Sequence, residues 1–159
     1  MSDVDFKIQG EDELKRRLLS LGKDMESAMI AGVFLTAQQV RTHAIKSIQE
    51  QSFGTWTKRS RQGGGTYDHI AAAPGNAPNT DTGKLVSSIA VEKDEKNIEA
   101  EVGSNLDYAT YLEFGTEKKN GGGMDPRPWL QPALDSKRQN LESNIAKAAM
   151  KVIAKRAGK

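Results

Sequence analysis

The chain has 159 residues, a length that predicts one ordinary domain, and it contains no cysteine. That excludes a disulfide scaffold, a thiol nucleophile, cysteine-ligated zinc and an iron–sulfur cluster, and the two histidines, His43 and His69, leave little for a histidine metal site. The 23 basic and 21 acidic residues leave a net charge of +2, too balanced for a nucleic-acid binder recognised by bulk charge.

Val4, Phe6 and Ile8 alternate with polar residues and predict a short half-buried strand. Met1 to Gly10 has no apolar run, so no secretory signal is expected there. No apolar run approaches the roughly 20 residues that span a bilayer, and a soluble, cytoplasmically made protein without membrane contact is expected. Glu11 to Leu21 carries Leu14, Leu18 and Leu21 at helical spacing, with Gly22 as its stop. A second, longer helix should start at Asp24 or Ser27 and run to about Gln51. Its stretch Ala28–Leu35 is apolar all round, which predicts enclosure on most sides. Gly32 within it points to close backbone packing. Residues 52–80 show no lasting period and hold Gly63-Gly64-Gly65, Pro74, Gly75 and Pro78. They read as a long mobile arm.

Asp81 to Leu85 suggests a short helical turn. Ile89 to Lys93 and Ile98 to Val102 alternate around the polar turn Asp94–Asn97 and predict a β-hairpin closed by Gly103. Tyr108, Tyr111, Leu112 and Phe114 fit a short helix stopped by Gly115. A last helix from Trp129 to about Arg156 should hold Pro128 in its first turn, where Pro132 must also lie. The predicted fold is α+β over residues 1–159: a small antiparallel sheet, long helices packed on one face and a long mobile loop at about 52–80. Charge is unevenly placed, with five basic and nine acidic groups in 81–120 against eight basic and three acidic in 121–159.

Catalytic motifs fail on inspection. Thr82-Gly83-Lys84 lacks the earlier glycine and the following Ser or Thr of a phosphate loop, since Pro78 and Leu85 stand there. The glycine triplets lack the strand and helix of a dinucleotide fingerprint. Asp68-His69 is a poor metal site, and nothing fixes the separation of Asp107, Glu113 and Asp125 for acid–base work. No cofactor is expected. Trp56, Lys58, Arg59 and Arg61 with Tyr67 interleave basic and aromatic residues, as a single-strand grip or a protein-docking arm would.

Three blocks carry a resemblance. They are Asp81-Thr82-Gly83-Lys84-Leu85 with Ser88-Ile89, the stretch Val102 to Thr116 containing Tyr108 and Glu113-Phe114-Gly115-Thr116, and Arg127-Pro128-Trp129-Leu130-Gln131-Pro132. Together they resemble the tail-completion, or head–tail joining, proteins of long-tailed, siphovirus-type bacteriophages and prophages. Trp129 stands where that family usually has phenylalanine. The resemblance implies a non-enzymatic virion protein that caps the tail tube at the head–tail interface. It implies a ring, commonly six-fold, built from subunits often monomeric before assembly. Partners would be further copies of itself, the tail-tube protein and the head-completion connector, with DNA only passing through the lumen. On this reading Gly115 ends a helix, Thr116 bonds the turn backbone, and Glu113 accepts from Arg127 within or between subunits. Trp129 reads as core. The rival reading is a small nucleic-acid-binding accessory protein using the arm and the basic C-terminal helix.

Overall fold

A computed structural model describes residues 11–117 and 121–158. The strand expected at Val4–Ile8 lies outside them. Helix α1 runs from Glu11 to Gln49 without interruption. The expected stop at Gly22 does not occur. A mid-helix glycine costs about 1 kcal/mol against alanine, which one long helix with Glu13–Arg16 and Glu13–Arg17 pairs absorbs. α1 is about 58 Å long at 1.5 Å per residue.

Residues 52–80 are not an irregular loop. They contain strands β1, Gly54–Ser60, and β2, Thr66–Ala72, paired antiparallel from Gly54–Ala72 to Ser60–Thr66. Gly63, Gly64 and Gly65 all take positive φ and reverse the chain between them. The alternation is illegible in sequence because β1 is exposed at nearly every position while β2 is half-buried on both faces, so neither strand shows a period of two. Helix α2, Lys84–Ser88, follows Gly83, whose φ of 75° is left-handed. Strands β3, Ile89–Asp94, and β4, Glu99–Ser104, form the expected hairpin. Gly103 lies inside β4 opposite Ala90 rather than closing it. The fold is therefore α+β with two separate two-stranded antiparallel sheets.

Helix α3, Asp107–Phe114, ends at Gly115 as expected. The last helix is two: α4, Gln131–Arg138, and α5, Asn140–Ala157, meeting at Gln139. Pro132 sits in the first turn of α4, whereas Pro128 and Trp129 precede the helix.

α5 packs antiparallel on α1. Gly32 makes this possible: a Cβ there would stand 2.6 Å from Ile145 Cα, so the two backbones touch as the sequence suggested. A buried polar ladder fixes the register. Asn144 Nδ2 donates to Thr36 Oγ1 at 3.0 Å and to Gln39 Oε1 at 3.2 Å, and Asn140 Nδ2 donates to Gln39 Oε1 at 3.1 Å. Arg156 binds Asp24 and Ser20 at the far end. Met29, Ala31 and Leu35 are exposed, so Ala28–Leu35 is not enclosed on most sides.

The core lies at the C-terminal end of α1. Val40, Ala44 and Ile48 meet Leu85, Ile89, Ala109, Trp129 and Ala133. β3–β4 lies along α1 with Ile89, Val91 and Val102 inward, and Arg41 Nε donates to Ile89 O at 2.7 Å.

Candidate functional site

The signature blocks converge where α3 meets α4. α4 has no side chain from its own preceding residue to cap its N-terminus. The first amides of a helix need acceptors, and here a distant residue supplies them. Glu113, near the end of α3 and 8% exposed, turns its carboxylate onto that N-terminus. Oε2 accepts from the Trp129 N–H at 2.8 Å and the Leu130 N–H at 3.0 Å, and Oε1 accepts from the Gln131 N–H at 2.9 Å. An anion there is also favoured by the helix dipole. Both oxygens are thus committed to backbone, leaving no role in acid–base chemistry.

The expected Glu113–Arg127 pair does not form within the chain. Arg127 Nε donates instead to Ala72 O at 2.7 Å, and Nη1 to Asp125 O at 3.3 Å. The Arg127 amide donates to Leu112 O at 2.7 Å. Three amides in one line outcompete a single guanidinium for the carboxylate, and the guanidinium reaches the base of β2. Trp129 is buried as core, its Nε1 donating to Ala109 O at 3.4 Å.

Gly115 leaves α3 with φ 76° and ψ −173°, a region essentially confined to glycine. Its Cβ would fall 2.5 Å from Met124 O. Thr116 and Met124 then exchange backbone hydrogen bonds at 2.8 and 3.1 Å, and Thr116 Oγ1 accepts from the Met124 amide at 3.1 Å. Glu113, Gly115, Thr116, Arg127, Trp129 and Leu130 therefore form one junction. Leu85 joins the same core. Tyr108 and Phe114, by contrast, are exposed with Tyr111 on α3, and burial of part of Tyr108 raises its phenol pKa.

Trp56, Lys58, Arg59 and Arg61 lie apart, on and beyond β1. Trp56 is 70% exposed, and Arg61 stacks its guanidinium 5.7 Å from the Tyr67 ring centre. The hairpin is held at its root. Asn79, which sequence reasoning missed, accepts from the Ser52 amide at 2.6 Å and donates from Nδ2 to Ser52 O and Ile70 O, both at 2.9 Å. Only its place in the turn-rich run Pro78-Asn79-Thr80 marked it. Tyr67 donates to Asp81, which holds the Tyr67 phenol above its ordinary pKa.

Between this hairpin, the segment 78–85 and α3 lies a cleft of about 700 Å³. Arg59, His69, Lys84 and Arg127 contribute to its lining, with Leu85, Tyr108 and Tyr111. Asp68 and His69, adjacent in β2, project to opposite faces. Among the described residues no group of three or more His, Asp and Glu could hold a metal, and no helix is long and apolar enough to cross a membrane.

No curated protein and no solved structure matches the chain. A family model does, over residues 12–115, well over half the sequence. That span holds α1, both hairpins and α3, with Glu113 and Gly115 near its end, while the Arg127–Leu130 block lies beyond it. The family is described as "Bacteriophage HK97-gp10, putative tail-component", and the chain belongs to it, as a structural, non-enzymatic phage tail component.

Proposed function

We propose that the protein completes the tail: it caps the tail tube and joins it to the head connector, as a six-fold ring built from subunits that are monomeric in isolation. Family membership carries this reading, and the joined signature blocks support it. A ring needs two different surfaces per subunit that meet head to tail. The acidic 81–120 region and the basic 121–159 region are suited to that, being net −4 and net +5. The partners are further copies, the tail-tube protein and the head-completion connector protein at the head–tail interface, with DNA only passing through the lumen. Segment 52–80 is proposed to move in the free subunit and to order against a neighbour or the tail tube. Its exposed ribbon, with Phe53 94% exposed and Trp56 70% exposed, supports that.

Mixing the purified chain with its tail-tube protein should give six-fold particles by electron microscopy. A persistent monomer under every mixing condition would count against the ring. Limited proteolysis of the free subunit should cut first within 52–80, and an arm as resistant as α1 sinks its mobility.

A second reading rests on the same exposed Trp56 beside Lys58, Arg59 and Arg61, with α5 contributing Lys147, Lys151 and Lys155. It is a nucleic-acid-binding accessory role, with steep salt dependence. Absence of DNA binding at about 50 mM salt removes it.

A further inference from the structure

We infer that the cationic cleft beside β1–β2 receives the acidic β3–β4 ribbon of a second copy of this chain. The inference rests on the ring reading and names the contact that would build the ring.

The ribbon is the first half of the argument. Its outward face carries Glu92 opposite Glu101 and Asp94 opposite Glu99. All four are exposed, and among the described residues none is ion-paired. Like charges directly opposite one another across strands are destabilising. The Asp94 carboxylate already accepts from Lys96 and Asn97 in the turn, so it is the Glu92–Glu101 pair that leaves the free subunit a repulsion cations from elsewhere would relieve.

The cleft is the second half. Arg59, Lys84 and Arg127 contribute to its lining, and among the described residues none has a carboxylate within salt-bridge distance. Among the described residues its one acidic lining residue, Asp81, accepts from Tyr67. Apolar Leu85, Tyr108 and Tyr111 complete a surface that can bury the body of a ribbon while its rim meets carboxylates.

The two surfaces cannot meet within one chain. Lys93 of the ribbon lies over Phe34 of α1, and the cleft lies at Ile48. Those positions are about 20 Å apart along α1 at 1.5 Å per residue. Arg41 also fastens the ribbon to α1 through Ile89 O. Complementary surfaces at separate places make a heterologous contact, the type that closes into rings. The cations of α5 are the weaker counterpart. α5 is already packed on α1, whereas β1–β2 packs on no helix beyond isolated contacts. A lone two-stranded ribbon is marginal in water and gains from a further layer.

The chain has no cysteine, so disulfide trapping has no background. Single variants Arg59→Cys and Glu95→Cys, mixed in assembled particles and oxidised, should give a linked dimer that neither gives alone. The double variant should give a ladder ending at the ring number. Arg59→Glu with Lys84→Glu should lose assembled particles, as should Glu92→Lys with Glu99→Lys, each folding normally by circular dichroism. Mixing these two variants should restore rings, because every cleft then meets an opposite ribbon, an alternation that only even-numbered rings allow. Wild-type rings with no cross-link and no effect of reversal overturn this contact and leave the ring standing. Wild-type chains that never assemble with the tail-tube protein overturn both.

Discussion

The α3–α4 junction and the β1–β2 hairpin are stabilised in opposite ways. At the junction a buried carboxylate takes three amides, an arginine takes carbonyls, and a tryptophan fills the core. Its polar groups are satisfied inside the subunit. The hairpin has its own ladder and a tether at the root, while Phe53 and Trp56 face solvent. The difference teaches where each region's stability comes from. The junction's hydrogen bonds are completed within the chain, whereas the hairpin is held mainly by its own ladder and its root.

The comparison is broken most directly at Glu113. Glu113→Ala strips three amides of their acceptor and should cost about 3 kcal/mol in urea unfolding, with Glu113→Gln falling between it and wild type. Gly115→Ala comes next, at about 2 kcal/mol, because Cβ meets Met124 O and the backbone conformation is strained. Asn79→Ala should cost about 1 kcal/mol globally. Its larger signature is local: amides of β1 and β2 should exchange faster while those of α3 and α4 do not. An equal rise in both regions would erase the distinction.

The smallest effect sharpens the comparison through pH. Tyr67 has its phenol pKa raised, chiefly by its hydrogen bond to Asp81. A raised folded pKa means the contribution is full below the ordinary tyrosine value near 10 and is lost as pH rises through the folded value. The hairpin's tether should therefore loosen only on the alkaline side. Tyr67→Phe should abolish that alkaline change in exchange rates without altering those at the junction.

Much of this was legible in sequence and some was not, for reasons that follow the same division. β3–β4 was readable because one face is buried against α1, so Val91 and Val102 alternate with charged neighbours. β1–β2 was not, because β1 is exposed at nearly every position and β2 is half-buried on both faces, which removes the period-two signal. Gly22 looked like a helix stop, yet nothing else there ends a helix. Gly115 was identified as a stop, and Trp129 as core, from local chemistry alone. Within the chain Glu113 accepts from the Trp129, Leu130 and Gln131 amides rather than from Arg127. A side chain that caps a helix eighteen residues away leaves no local spacing to read.

The contact between Gly32 and Ile145 has a mechanical consequence. At that point no side chain of Gly32 stands between the two backbones to shear or compress. Gly32 stands about 30 Å from one end of α1 and about 25 Å from the other, at 1.5 Å per residue. A methyl group at that fulcrum would push the backbones apart by about 1 Å, and both arms of the lever would swing. With the glycine in place, α1 and α5 form a strut braced between Ser20 and Gln39, so that a load on that stretch of α1 is passed along it rather than absorbed between the helices.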